Sequence, residues 1–226
     1  MTALTSLFEG RLPQLVMFDL DGTLVDSVPD LAAAVDVMLC RLGRPPAGVE
    51  RVRDWVGNGA AVLVRRALAG SIDHARVDDE QAATALDIFL EAYGGGHALT
   101  AVYPGVSGLL AHLRDHAVKM AVITNKPERF VAPLLAEVGL DGHFDWLIGG
   151  DTLATQKPDP AALLHVMHKA NVAPDQALFV GDSRNDVLAA RAARVKVVAV
   201  TYGYNHGEPI AAQKPDLLVD SLSALI

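Results

Sequence analysis

Cysteine is nearly absent from this chain of 226 residues, in which Cys40 stands alone. One cysteine cannot form a disulfide within the chain, and such sparse use is typical of proteins from a reducing compartment. Cys40 falls among apolar residues in a helical pattern. We therefore expect it to be an inert packing residue rather than a nucleophile.

Long apolar runs and clusters of basic residues are also missing. No stretch of the sequence approaches the ~18 consecutive apolar residues of a membrane-spanning helix, and no basic segment precedes an apolar one at the N-terminus. The formal net charge is -8, and no block of Lys and Arg offers the positive surface that nucleic acids or anionic membranes require. We therefore expect a cytoplasmic protein with neither nucleic-acid nor membrane partners.

Six short apolar runs recur along the chain, with helical stretches between them. Because these runs are continuous rather than alternating, we expect strands that are buried on both faces. The pattern predicts an α/β fold, doubly wound and Rossmann-like, in which helices cover both faces of a parallel sheet. The predicted strands are 15–18, 120–123, 146–148, 177–180, 197–200 and 217–219.

The long segment between the first two predicted strands has helical patterns and no strand-like run. An amphipathic helix is predicted from Leu31 to Leu42, with Pro29 near its start and Gly43 after its end. The whole segment is too long for a single crossover helix. We therefore predict an α-helical cap domain at 28–102, inserted into a core domain that comprises 1–27 and 103–226.

Two carboxylates, Asp19 and Asp21, directly follow the first predicted strand. Ligands of open α/β sheets bind at the carboxyl ends of strands. If the chain stayed extended, both side chains would point the same way and repel each other, so we expect a cation nearby. Gly22 permits a turn and a close approach of its N–H to an anion. In isolation, this pattern would fit an ordinary turn equally well.

Other predicted strands also end in polar residues. Thr124 and Asn125 follow the second strand, Lys157 comes after the third, and Asp182 and Asp186 come after the fourth. The carboxyl ends of parallel strands meet at one edge of a sheet, so these side chains should converge in one crevice. This convergence favours a functional site over a set of unrelated turns.

Taken together, these segments resemble the four motifs of the haloacid dehalogenase superfamily. The resemblance spans the whole chain, and the insertion is similar to the helical cap of the first type in that family. Members that cleave carbon–halogen bonds typically lack the second carboxylate, so Asp21 favours a phosphohydrolase. The matching segments are Asp19-Leu20-Asp21-Gly22-Thr23-Leu24, Thr124-Asn125, Lys157-Pro158-Asp159-Pro160 and Gly181-Asp182-Ser183-Arg184-Asn185-Asp186.

The resemblance implies a role for each matching residue. Asp19 is expected to be the nucleophile that forms an aspartyl-phosphate, and Asp21 the general acid and base. Mg²⁺ is the expected cofactor, because hard cations prefer oxygen ligands. The expected catalytic residues are Asp19, Asp21, Thr124 and Lys157; phosphate is expected to bind Gly22, Thr124, Asn125 and Lys157. The expected metal ligands are Asp19, the backbone carbonyl of Asp21, Asp182 and Asp186, the last directly or by orienting the others.

The substrate is expected to be a small phosphorylated metabolite, selected by the cap. The Gly-flanked Asn58 in the segment 55–59 is the best candidate for a substrate-binding residue there, although an ordinary turn is an equal alternative. This segment and others near 26–30, 150–152 and 202–205 are similar to family members that hydrolyse 2-phosphoglycolate. Hydrolysis of N-acetylmuramic acid 6-phosphate or a hexose phosphate remains the main alternative.

Two further alternatives are less favoured. A β-phosphoglucomutase would have to protect its phospho-enzyme from water. A phospho-acceptor signalling module would be shorter, would lack the cap and would have no use for an acid/base at Asp21. The sequence leaves the oligomeric state open between monomer and dimer.

Overall fold

The computed structural model describes residues 2–226 and has a six-stranded sheet at its centre. The strands are β1 (Leu15–Phe18), β2 (Val25–Asp26), β3 (Ala101–Val102), β4 (Lys119–Ile123), β5 (Trp146–Ile148), β6 (Ala177–Gly181), β7 (Lys196–Val200) and β8 (Leu217–Val219). The order in the central sheet is β5-β4-β1-β6-β7-β8, and each neighbouring pair is parallel. All six predicted strands are present, and the predicted fold class is confirmed.

Helices cover both faces of this sheet. Side chains of a strand alternate between the two faces; in β1, Val16 and Phe18 join one apolar cluster, whereas Leu15 and Met17 join the other. The first cluster includes α1 (Ala3–Leu7), α6 (Val106–Asp115) and α7 (Val131–Glu137), and the second includes α8 (Ala161–Ala170) and α9 (Arg184–Ala192). Burial on both faces explains why β1 is apolar throughout.

Four helices between β2 and β3 form a third apolar cluster of their own, to which Phe130 and Tyr204 also belong. These helices are α2 (Val28–Arg41), α3 (Val49–Trp55), α4 (Ala60–Ala69) and α5 (Asp79–Tyr93). The predicted amphipathic helix corresponds to α2. Cys40 lies on its exposed side, so our interpretation of Cys40 as a packing residue was wrong. Within residues 2–226, every helix is too short or too polar to traverse a bilayer.

The connections to these helices include a short sheet that we did not predict. Ala101–Val102 forms β3 and pairs antiparallel with β2, although we expected no strand within 28–102. Two residues are too few to give a recognisable apolar or alternating pattern. Nearby, the Asp30 carboxylate in the first turn of α2 accepts hydrogen bonds from the Leu99 N–H and from the Thr100 hydroxyl, the latter at 2.6 Å. These contacts therefore join the two ends of the segment that carries α2 to α5.

Candidate active site

The order of the strands brings Asp19 and Asp182 to neighbouring positions. After β1, the next two strands of the central sheet, β4 and β5, extend it on one side, whereas β6 lies on the other side of β1. Such a reversal opens a crevice at the carboxyl ends of the two strands. Asp19 follows β1 there and donates its N–H to Val180 O of β6 at 2.9 Å. Asp182 follows β6 directly, so both carboxylates enter this crevice.

Lys157 and Asp186 hold the base of the crevice together. The Lys157 ammonium lies 2.9 Å from Asp19 Oδ1 and 2.7 Å from Asp186 Oδ1. Asp186 Oδ2 accepts hydrogen bonds from the Asp182 N–H, the Ser183 N–H and the Ser183 hydroxyl. Burial alone would lower the pKa of Lys157, but Asp186 and Asp19 outweigh burial and raise it. Lys157 therefore keeps its positive charge and pairs with two carboxylates.

A divalent cation fits the carboxylates of this crevice. One oxygen from each of Asp19, Asp182 and Asp186 lies within 4.8 Å of the other two. Burial, assisted by Asp186, raises the pKa of Asp19 to about 7 even though Lys157 lowers it. Burial and the neighbouring carboxylates also raise the pKa of Asp182 well above its ordinary value. The cluster thus carries more negative charge than Lys157 balances, and a bound cation would supply the missing positive charge.

The three carboxylates are not equally free to bind that cation. Both oxygens of Asp186 are already engaged, Oδ1 by Lys157 and Oδ2 by three donors. Asp182 has one partner on each oxygen, the Thr23 hydroxyl at 2.9 Å and the Tyr204 N–H at 2.5 Å. Since a carboxylate oxygen has two lone pairs, both oxygens of Asp182 keep capacity for a metal, whereas Asp186 keeps it only on Oδ1, beside the Lys157 ammonium. Asp19 and Asp182 could therefore bind the cation directly, and Asp186 could orient Asp182 and Lys157.

Asp21 has its own lysine partner, which we did not predict. Lys126 Nζ lies 2.9 Å from Asp21 Oδ1 and 3.1 Å from Oδ2, and the Ser27 hydroxyl donates to Oδ1 at 2.5 Å. Lys126 is only 5% exposed. It directly follows Thr124 and Asn125 at the end of β4, so the strand-end argument that identified those two residues could have been extended by one position. The pairing of Lys126 with Asp21 could not be predicted from the sequence.

A small cavity of about 50 Å³ lies between the crevice and the helices above it. Its polar end contains Asp19, Asp21, Thr124, Asn125 and Lys126, and the remainder is largely apolar. The other lining residues are Leu31, Val56, Gly57, Gly59, Ala60, Leu63, Phe89, Tyr93, Pro127 and Phe130. Of the predicted site residues, five are not among those that line the cavity: Gly22, Asn58, Lys157, Asp182 and Asp186.

The loop between α3 and α4 closes one side of the cavity through its backbone. Gly57 O accepts hydrogen bonds from the side-chain amides of Asn125 and Asn185, each at 3.1 Å. The Asn58 side chain is not brought into the cavity: its Oδ1 accepts a hydrogen bond from Arg66 Nη2 at 3.0 Å. Its neighbours Gly57 and Gly59 line the cavity instead. The predicted loop thus covers the site, although the side chain that we singled out supports the loop.

Comparison with known proteins identifies relatives over the full chain. Residues 13–194 match the family model of haloacid dehalogenase-like hydrolases. Phosphoglycolate phosphatase 1 of Pseudomonas aeruginosa is 64% identical over 226 residues, which are 100% of this chain and 83% of that protein. The phosphoglycolate phosphatase of Pseudomonas putida is 65% identical over the same shares. A crystal structure of a predicted phosphoglycolate phosphatase from Haemophilus somnus has a TM-score of 0.86 and 39% identity, and the match covers 93% of this chain and 95% of that one.

Gly22 offers a direct test of how tightly this site is packed. Its φ is +87°, and a Cβ there would lie 2.8 Å from Asp182 Cγ and 2.9 Å from Tyr204 Cδ2. Gly43 shares the positive φ, at +70°, but a Cβ there would meet nothing within 4 Å. We expect Gly43→Ala to cost about 1 kcal/mol of unfolding free energy from the backbone conformation alone, and Gly22→Ala about 3 kcal/mol.

Urea unfolding and calorimetric titration with Mg²⁺ check this prediction. The Gly22→Ala variant should also bind Mg²⁺ more weakly than wild type, because the new methyl group displaces Asp182, whereas Gly43→Ala should bind it normally. Equal unfolding free energies and equal Mg²⁺ affinities for the two variants would refute the close packing of Gly22 against Asp182.

Proposed function

The chain belongs to the haloacid dehalogenase-like hydrolase family, and we propose that it is a Mg²⁺-dependent phosphatase that converts 2-phosphoglycolate to glycolate and phosphate. The observation that carries the proposed chemistry is the hydrogen bonding of the two oxygens of the Asp19 carboxylate. Its Oδ1 is held by the Lys157 ammonium and the Leu20 N–H, whereas Oδ2 has no hydrogen-bond partner among residues 2–226. Asp19 also lines the cavity. One oxygen of a fixed carboxylate is thus available to attack phosphorus.

In the first half-reaction, Asp19 forms a bond to phosphorus as the bond from phosphorus to the ester oxygen breaks. Asp21 donates its proton to the departing alkoxide, which leaves as an alcohol. Asp21 suits this task because Ser27 and Lys126 fix its carboxyl group beside Asp19 at the cavity wall. The product at this stage is an aspartyl-phosphate on Asp19.

In the second half-reaction, water attacks the phosphorus of the aspartyl-phosphate and the bond to Asp19 breaks. Asp21, now a carboxylate, accepts the proton of that water and returns to its starting state. Thr124 and Asn125 line the same end of the cavity as Asp19, and we assign them to the phosphate oxygens. Lys157 offsets the negative charge of Asp19 as the phosphate approaches.

Mg²⁺ is the cofactor that we propose for the carboxylate cluster. Asp19, Asp182 and the backbone carbonyl of Asp21 would hold it, with Asp186 orienting Asp182. When bound, the ion would balance carboxylate charge and stabilise the negative charge that develops on the phosphate. The excess negative charge around Asp19 and Asp182 supports this assignment.

The lining of the cavity supports a small ester over a sugar phosphate. Beyond its polar end the wall is largely apolar, which leaves few partners for sugar hydroxyls. We propose that residues 28–102 act as a cap domain on a core of 1–27 and 103–226. The cap would open to admit the substrate and then close through the hydrogen bonds to Gly57 O.

Phosphate release across a panel of esters tests the proposed function. The panel contains 2-phosphoglycolate, N-acetylmuramic acid 6-phosphate and glucose 6-phosphate, each with Mg²⁺, Mn²⁺ or Ca²⁺ and with EDTA. We expect kcat/KM to be highest for 2-phosphoglycolate with Mg²⁺, by about 10-fold or more over the sugar phosphates, and EDTA to abolish turnover. A preference for either sugar phosphate would assign the same chemistry to a different substrate and overturn the proposal.

Asp21→Asn tests the acid/base role. Without the acid, hydrolysis of 2-phosphoglycolate should slow by about 10²- to 10⁴-fold. p-Nitrophenolate departs without a proton, so the variant should still release a stoichiometric burst of it from p-nitrophenyl phosphate and then stall, because the aspartyl-phosphate persists. Stopped-flow absorbance measures this burst. The control is Asp220→Asn, which removes an exposed carboxylate after β8 and should behave as wild type. Steady turnover of p-nitrophenyl phosphate at the wild-type rate would contradict the role of Asp21 as a base.

A further inference from the structure

One cation lies at the wall of the cavity and is not needed to balance the carboxylate cluster around Asp19. Three lysine and arginine side chains are buried among residues 2–226: Arg66, Lys126 and Lys157. Lys157 lies between Asp19 and Asp186, and Arg66 donates to Trp55 O and Asn58 Oδ1. Neither of these two lines the cavity. Lys126 alone among them presents positive charge to the space that a substrate would occupy.

The contacts of Lys126 leave room for a further anion. A lysine ammonium has three N–H donors, and Asp21 takes up one side of it, at 2.9 and 3.1 Å. On another side, Nζ lies 4.7 Å from the centroid of the Tyr93 ring, a cation–π contact that requires no donor of its own. A lysine ammonium is charged at neutral pH, and the Asp21 carboxylate does not occupy all of its donors. The side chain can therefore bind a second anionic group.

Tyr93 supplies a second donor beside Lys126. It is the last residue of α5, is 2% exposed and lines the same cavity. Its hydroxyl donates to no acceptor among residues 2–226. A buried hydroxyl without an acceptor is costly unless a ligand satisfies it. Burial raises the pKa of Tyr93 to about 12, so this hydroxyl keeps its proton and is available as a donor.

The position of Asp21 relates these donors to the reaction. Asp21 must contact the ester oxygen that leaves, and Lys126 contacts Asp21. In 2-phosphoglycolate, the carboxyl carbon is only two bonds from that oxygen. A substrate carboxylate so close to the ester oxygen would lie beside Lys126, the partner of Asp21. The rest of the cavity wall would give this carboxylate mainly apolar side chains.

We propose that Lys126 and the Tyr93 hydroxyl form a subsite for the second anionic group of the substrate, a carboxylate next to the ester carbon, and that this subsite selects carboxylate-bearing phosphate esters. The inference rests on the proposed function and deepens it. Lys126 belongs to the core and Tyr93 to the helices above it, so the subsite is complete only when the two are in contact.

The test compares two substrates that differ only in this group: 2-phosphoglycolate and 2-hydroxyethyl phosphate, in which a neutral CH₂OH replaces the carboxylate. For Lys126→Met, we expect kcat/KM to fall about 100-fold for 2-phosphoglycolate and about 10-fold or less for 2-hydroxyethyl phosphate. The smaller loss reflects the disturbed pairing of Asp21. Tyr93→Phe should reduce the ratio of the two values by about fivefold.

Lys126→Arg is the matched control, because it keeps the charge and should keep the ratio within about threefold of wild type. Circular dichroism and urea unfolding establish that each variant is folded, and Lys126→Gln replaces Lys126→Met if the latter does not fold. An equal fall for both substrates would overturn the subsite and leave Lys126 as a positioning residue for Asp21. Failure of the proposed function would be seen separately, as a wild-type enzyme that does not prefer 2-phosphoglycolate over sugar phosphates.

Discussion

The charge balance at one edge of the sheet is the constraint on which the site depends. Three carboxylates, Asp19, Asp182 and Asp186, meet there with one ammonium group, that of Lys157, a formal excess of two negative charges. Burial makes such an excess costly, and it raises the pKa of both Asp19 and Asp182. A divalent cation would offset that excess. In a purely structural protein this cluster of buried carboxylates would only be destabilising. Here it would provide the oxygen ligands for a metal ion beside the proposed phosphate site.

The two lysines divide the site into parts with different tasks. Lys157 pairs with Asp19 and Asp186 and lies outside the cavity, so it stabilises the carboxylate that we propose as the nucleophile. Lys126 pairs with Asp21 at the cavity wall and contacts Tyr93 of the overlying helices. Lys157 therefore contacts the proposed nucleophile, and Lys126 connects Asp21, the proposed acid/base, to the surface that we propose for the rest of the substrate. The contact between Asp21 and Lys126 would thus link the proposed acid/base to the proposed subsite that selects the substrate.

Much of the core, and less of the space above the site, could be predicted from the sequence. The strands and the residues at their ends are local features: continuous apolar runs reveal the sheet, and the parallel arrangement then brings Asp19 and Asp182 together. The pairing of Lys126 with Asp21 joins residues 105 positions apart, and no local pattern encodes it. The direction of the Asn58 side chain depends on its hydrogen bond with Arg66. The exposure of Cys40 depends on which side of α2 packs against the neighbouring helices. The predicted roles of the site residues remain predictions for experiment.

The central claim is that Asp19 carries the phosphoryl group between the two half-reactions. Acid quenching of the wild-type enzyme within its first turnover of radiolabelled 2-phosphoglycolate, followed by peptide mapping, tests it most directly. We expect a hydroxylamine-sensitive label, characteristic of an acyl phosphate, on the peptide that contains Asp19, and none after Asp19→Asn. Label on a different residue, or phosphate release with no labelled protein at any quench time, would contradict the account.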